Sequence, residues 1–479
     1  MEATDIRILL PIIILAGGIL FTLLLVAVKR NHLLTFICTS TTLAASLITL
    51  CCMTYEKSHS FGDLFLLDRF GLYYQGLILL STLVVTIFSY ISIRNFYPEK
   101  RKEEYYLVLM LGTLGAAMMV VSTHFISFFV SLEILTISLY TLISYYRERS
   151  KAIEAGLKYL ILAAMSSAFL LFGMALIYSI SGTMSFQGFA EISFPLTSMS
   201  SVIIVAGVGM MMVSIGFKLG LVPFHMWTPD IYEGASSPTS AFIATISKGA
   251  MLAVLLHFFI MADLYRFKSI LLTFTIIAVL SMLIGNLLAL RQNNIKRLLA
   301  YSSIAHFGYL LIAVIAGKEI GLPAATFYIT VYIITMLGAF GLVTLISRSN
   351  EEAMDIEAYL GLFWRKPILA TIFTVILLSL AGIPLTAGFM AKFFLLTAGV
   401  EESKWLLAFT LVVGSVIGLY YYLRVIVAMM KKDENTVPGA SLSRISYYAG
   451  VLVLIILGVL VMELGTSPAW LIDVINGLP

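Results

Sequence analysis

The chain has 479 residues, of which 60% are hydrophobic and only 12% charged, and its formal net charge is +4. Soluble domains carry about 25% charged residues, so the composition excludes a water-soluble globular protein and points to an integral membrane protein. The three cysteines, Cys38, Cys51 and Cys52, share one early apolar run, with neither metal-ligand spacing nor a disulfide framework.

Apolar runs separated by polar breaks predict fourteen spans, near 8–28, 33–53, 72–93, 105–122, 126–146, 157–180, 202–227, 241–262, 269–290, 299–316, 322–347, 368–398, 405–430 and 447–466. Met1–Asp5 has no basic stretch and Lys29 and Arg30 follow the first run, so that run is expected to stay as a helix. Eighteen lysines and arginines fall in one alternate set of loops (Lys100, Arg101, Lys296, Arg297 and Arg348 among them) and seven, including Arg7 and Lys57, in the other. The richer side is predicted to be cytoplasmic, which puts both termini outside.

Chemistry enters at the fifth span. Glu133 is its only acid and is the natural counter-charge for a lysine in the membrane. A pair that opens and closes changes how tightly the lysine holds its proton, whereas a permanent pair would be structural. Lys158, near the start of the sixth span, is either a pathway residue or a partner of Glu154 one turn earlier. The seventh span breaks in Gly216-Phe217-Lys218-Leu219-Gly220-Leu221-Val222-Pro223. Proline frees a carbonyl there, and such half-helix ends favour a cation, here Lys218. Lys248, eight residues into the eighth span, has no acid nearby in sequence and is read as a relay. His306, in the tenth, could relay protons or simply pack. The twelfth span breaks at Ala381-Gly382-Ile383-Pro384, with Lys392 beyond it as the exit candidate. A charge at mid-bilayer costs roughly 2.5–3.5 kcal/mol on the insertion scale and usually marks an ion or proton path.

The two breaks, at Pro223 and Pro384, lie five spans apart and so run in opposite directions through the membrane. That predicts an all-α polytopic protein with two inverted five-helix repeats and discontinuous helices 7 and 12. The expected divisions are 1–100 (three spans), 101–263 (first repeat), 264–430 (second repeat) and 431–479 (last span and C-terminus). With no nucleotide loop, cysteine cluster or haem-attachment motif, the chain is expected to hold no metal or cofactor and to perform no redox chemistry itself.

The stretch from Phe217 to Ala235, with Ala155–Leu160, Tyr301–Tyr309 and Gly382–Lys392, closely resembles the antiporter-like subunits of respiratory complex I, over about the whole chain. The Thr-Pro-Asp-Ile-Tyr-Glu-Gly run at 228–234 is most similar to the N-type subunits of bacterial NADH:quinone oxidoreductase. The resemblance implies a proton-translocating membrane-arm subunit in the bacterial inner membrane, packed against other membrane-arm subunits, neighbouring antiporter-like ones included. It would contact lipid and no nucleic acid, with NADH, FMN, iron–sulfur clusters and quinone on other subunits. It also implies a pathway from Glu133 paired with Lys218, through Lys248, to Lys392. A subunit of a cation/proton antiporter of related fold is the alternative.

Overall fold

The computed structural model describes residues 9–53, 59–96, 102–190, 198–347, 352–432 and 444–478. Of the loop cations above, Arg7, Lys57, Lys100, Arg101 and Arg348 lie outside these residues, as do Met1–Asp5. Twelve helices are long and apolar enough to cross a membrane. They are α1 Leu10–Val28, α2 His32–Cys51, α3 Arg69–Phe96, α5 Phe125–Ile143, α6 Ser150–Ser181, α7a Ser198–Leu219, α8 Ser237–Met261, α9 Lys268–Ala289, α10 Ile295–Ile315, α11 Lys318–Ile346, α13 Trp405–Met430 and α14 Arg444–Thr466. Two shorter apolar helices, α4 Glu104–Met119 and α12a Pro367–Ala381, supply the fourth and twelfth expected spans. After the breaks the chain resumes as α7b Trp227–Gly234 and α12b Ala387–Glu401. The all-α expectation has one exception among the described residues, an antiparallel hairpin of His59–Phe61 with Phe65–Leu67.

Helix starts are set by polar caps that an apolar window does not register. Asn294 accepts from the amides of Lys296 and Arg297, so α10 begins four residues before its expected start. Ser236 accepts from Thr239 and does the same for α8. Within α8, residues Ile243–Ser247 form a π-helical turn directly before Lys248. Such turns are frequent at functional sites.

The centre of the molecule is made by α8, α10 and α11, whose spanning windows are 94, 100 and 89% buried, while α1 and α2 form a peripheral hairpin. Two helix crossings use one device. A Cβ on Gly115 of α4 would meet Leu135 N at 2.7 Å and Ser131 O at 2.8 Å on α5. A Cβ on Gly285 of α9 would meet Ala305 N at 2.7 Å and Tyr301 O at 3.0 Å on α10. Each residue of the second set lies 170 positions after its counterpart (115 to 285, 131 to 301, 135 to 305). On that register Glu133 corresponds to Ser303 and Thr136 to His306.

Candidate functional site

The break in α7 is closed by its glycine. Gly220 has φ +73°, Leu221 N donates to Gly216 O (2.8 Å) and Gly220 N to Phe217 O (2.9 Å), the left-handed helix closure that glycine permits. Trp227 Nε1 also donates to Phe217 O (2.8 Å), and Val222 N donates to Ser281 Oγ on α9 (3.0 Å). Gly216 O and Phe217 O are thus occupied and Lys218 Nζ bonds elsewhere, which corrects the expectation that carbonyls at the break would hold it.

Lys218, buried in the last turn of α7a, instead donates from Nζ to Thr136 Oγ1 on α5 at 2.6 Å. Thr136 is one turn beyond Glu133, and Glu133 is engaged from α6 by Ser167 Oγ at 2.5 Å. Glu133 and Lys218 thus meet at one junction of α5, α6 and α7a, but they form no ion pair in this structure. The implied pairing is corrected to two neighbouring residues, each bonded to a hydroxyl and not to the other.

Lys248 is fully buried, and its Nζ donates to Ser303 Oγ on α10 (2.8 Å), which also accepts from Tyr332 OH on α11 (2.7 Å). The rings of Phe307, Tyr232 and Trp227 surround the ammonium at 5.0, 5.7 and 6.0 Å. Its head also touches the α7 break, since a Cβ on Gly220 would lie 3.1 Å from Lys248 Nζ. Tyr159, Phe217 and Trp227 form an aromatic cluster between Lys218 and Lys248.

His306, one turn beyond Ser302 and Ser303, joins this array. Its Nδ1 bonds Tyr328 OH (2.6 Å) and its Nε2 bonds Tyr422 OH (3.3 Å), which in turn bonds Ser302 Oγ (2.5 Å). Between His306 and Lys392 lies a void of about 10 Å³, lined also by Tyr328, Tyr332, Ser379 and Gly388. That is close to the least space one water molecule needs. Lys392 Nζ donates to Ala381 O, the last carbonyl of α12a, at 2.8 Å. Here the carbonyl end of a half-helix does hold a cation, as expected for a broken span. Gly382, φ +86°, closes α12a and packs against the Lys392 side chain.

Lys158 stands apart. It is about half exposed and pairs with Glu154 (2.7 Å) and Asp230 (3.0 Å), so it belongs to a surface ion network that continues through Arg297, Glu233 and Lys151. A second pair there is buried: Lys296 and Glu352 are 0 and 2% exposed and 2.7 Å apart, with Ser237 N donating to the same carboxylate (3.0 Å). Burial pushes the Glu352 carboxyl up, but the Lys296 ammonium, the Arg149 guanidinium and the Ser237 amide together outweigh it and hold the group below the ordinary glutamate value. Sequence reading took Lys296 only as a loop cation and missed Glu352. It also missed Thr136, Ser167, Ser303 and the tyrosines, because hydroxyls on apolar helices look the same whether they serve packing or a site.

Three buried lysines, two of them on broken helices and one with an acid nearby, fit an ion-translocating membrane subunit. The chain belongs to the family described as NADH:quinone oxidoreductase/Mrp antiporter, TM, which matches residues 122–418. A relative from Ectopseudomonas mendocina (strain ymp), NADH-quinone oxidoreductase subunit N, is 42% identical over 474 residues, 98% of this chain and 95% of its own length. A chain of respiratory complex I from Thermus thermophilus with bound aureothin superposes with TM-score 0.82 at 30% identity, covering 97% of this chain and 98% of that one. The Mrp complex from Dietzia sp. DQ12-45-1b shares the fold, with TM-score 0.84 at 22% identity over 98% of this chain and 96% of that one. The chain is accordingly a multi-span membrane protein of the complex I and antiporter subunit fold.

Proposed function

We infer that this chain is the proton-translocating N-type subunit in the membrane arm of a bacterial NADH:quinone oxidoreductase. The observation that carries the reading is that Lys218, Lys248 and Lys392 are all buried and that none forms an ion pair among the described residues. A purely structural cation at such depth would be paired, because an unpaired buried charge costs several kcal/mol. Their partners are a threonine, a serine and a backbone carbonyl, neutral acceptors that solvate the ammonium without fixing its charge as a carboxylate would. Protons would move along Glu133, Lys218, Lys248 and Lys392. Ser303, Tyr332 and His306 would link the last two lysines, and a water would fill the void beside Lys392. Within the reading, NADH oxidation and quinone reduction belong to other subunits and this chain contributes no redox group. Both termini face outward, lipid covers the outer helices, and the common register of α4–α5 and α9–α10 supports two inverted five-helix halves.

The test is Lys248→Met in the complete complex reconstituted into vesicles. Proton pumping and coupled quinone reduction should fall sharply, while NADH oxidation by an artificial acceptor and the level of assembled complex should stay near wild type. Wild-type pumping by the assembled variant would defeat the reading. Pumping that persists without the redox arm would favour a cation/proton antiporter subunit.

A further inference from the structure

We propose that Thr136 and Ser167 are positioning residues that hold the Glu133–Lys218 pair open, one hydroxyl on each partner. The proposal rests on the proton-pathway reading and concerns how its first step is set.

Each half of the catch is a specific bond. Thr136 has one hydroxyl proton, and the geometry commits it to Leu132 O at 2.7 Å, along its own helix. Its lone pairs therefore face Lys218 Nζ at 2.6 Å, and Lys218 must be the donor. Ser167 has no lone acid or base of its own to satisfy. Its Oγ lies 2.5 Å from Glu133 Oε1 and donates to it, taking one carboxylate oxygen from the side of α6. Positions 133 and 136 are neighbours on one helix face, with Cβ atoms roughly 5–6 Å apart. On the proposal, a change of lysine rotamer moves the ammonium from Thr136 to the carboxylate one turn away on the same helix face. Tyr159, on the same helix as Ser167, places its ring 5.6 Å from Lys218 Nζ and keeps the ammonium near α6 in either arrangement.

A second observation picks out the same position independently. On the 170-residue register shared by the two glycine crossings, Thr136 occupies the place that His306 holds on α10. His306 sits between the hydroxyl array and the void beside Lys392. The scaffold thus puts a hydrogen-bonding side chain toward the lysine of the broken helix at the same point in both crossings.

The hydroxyl of Thr136 competes with a carboxylate for one ammonium, so its loss favours the closed pair. A hydrogen bond to a charged group shifts such an equilibrium by about 10- to 100-fold. A closed pair keeps both residues charged, so the variant should stall with Lys218 bound to Glu133.

The experiment compares Thr136→Val, Thr136→Ser and Ser167→Ala in the assembled complex, with Lys218→Met alongside. Valine keeps the shape of threonine and removes the hydroxyl, while serine keeps the hydroxyl and removes the methyl group. Positioning predicts that Thr136→Val loses protons pumped per electron several-fold, that Thr136→Ser recovers most of it, and that Ser167→Ala falls with the valine variant. A determined structure of the Thr136→Val complex should have Lys218 Nζ in direct contact with a Glu133 oxygen. A packing role predicts the reverse order, valine near wild type and serine impaired, and that order overturns the proposal. So does a valine variant whose lysine and glutamate remain apart. If Lys218→Met itself pumps normally, the pathway reading has failed at Lys218. If Lys218→Met is dead and Thr136→Val is normal, only the catch has failed.

Discussion

Alanine at Gly220 tests whether the broken helices act through the lysines that touch them. Gly220 has φ +73°, and a left-handed residue with a Cβ costs about 1–2 kcal/mol. Against a net stability of about 5–15 kcal/mol, that strain alone leaves the fold intact. The added methyl would also lie 2.6 Å from Thr228 Oγ1, which must move, and 3.1 Å from Lys248 Nζ, so the ammonium beside Ser303 must give by a few tenths of an ångström. Misplacing a reacting group by ~1 Å can cost ~100-fold in rate. Gly382→Ala repeats the experiment at the other break, where φ is +86° and the methyl would lie 2.8 Å from Lys392 Cδ and 3.1 Å from its Nζ. Gly182 and Gly317, with φ +68° and +95°, have nothing within 4 Å of the same added atom. Their alanine variants carry the backbone strain without touching a lysine. All four complexes should assemble. In reconstituted vesicles Gly220→Ala and Gly382→Ala should lose several-fold in pumping rate, a fraction of the ~100-fold that a ~1 Å misplacement costs, while Gly182→Ala and Gly317→Ala stay near wild type. Equal losses in all four would trace the effect to strain in the helix ends and refute the lysine contact.

Lys248→Arg keeps a charge at any accessible pH, so a proton carrier should fail in this variant nearly as badly as in Lys248→Met. Near-normal vesicle pumping by the arginine variant beside a dead methionine variant would make Lys248 a fixed charge. Glu352→Gln leaves Lys296 buried without its counter-ion and should destabilise the complex by about 3–5 kcal/mol, with Lys296→Met/Glu352→Leu recovering part of the loss in thermal unfolding. Because the Glu352 carboxyl is held below its ordinary value of 4.5, its contribution is present above that pH and is lost as pH falls through the lowered folded value. Stability measured down through the acid range should therefore fall less steeply in Glu352→Gln than in the wild type.

The span count was legible because a membrane helix must be apolar over its whole length, whatever it packs against. The same uniformity hid which helices are central. The serines, histidine and tyrosines of Tyr301–Tyr309 set α10 apart from the almost wholly apolar α1, but a reading by span length passes both alike, although α10 is buried throughout and α1 is largely exposed. Helix starts were misplaced where polar first turns are held by partners far away in sequence, as for Lys296 by Glu352, 56 residues on. Prolines drew attention to both breaks, yet the closures themselves are made by Gly220 and Gly382 with positive φ. The lysines stood out because each is costly in an apolar helix. Their partners did not, because Lys248 meets Ser303 and Lys218 meets Thr136 only through crossings between separate helices.

The placement of the acid gives the line of lysines a direction of control. On the common register, position 133 carries a glutamate on α5 and its counterpart 303 carries a serine on α10. Lys248 bonds that serine, so the central lysine uses on α10 the position that the acid fills on α5. Lys218 alone has a carboxylate one helical turn from its present partner. A charge on Lys248 or Lys392 must therefore be balanced by dipoles, aromatic faces and the longer-range field of the other lysines. In a low-dielectric interior that field is poorly screened. Within the proposed pathway, closing the Glu133–Lys218 pair brings the carboxylate against the ammonium and weakens the field that the other lysines feel, and opening it strengthens that field, both residues staying charged. On that proposed path, the one step with a local counter-ion among the described residues would bias the two steps that lack one, and the junction of α5, α6 and α7a would be the point from which the rest of the path is set.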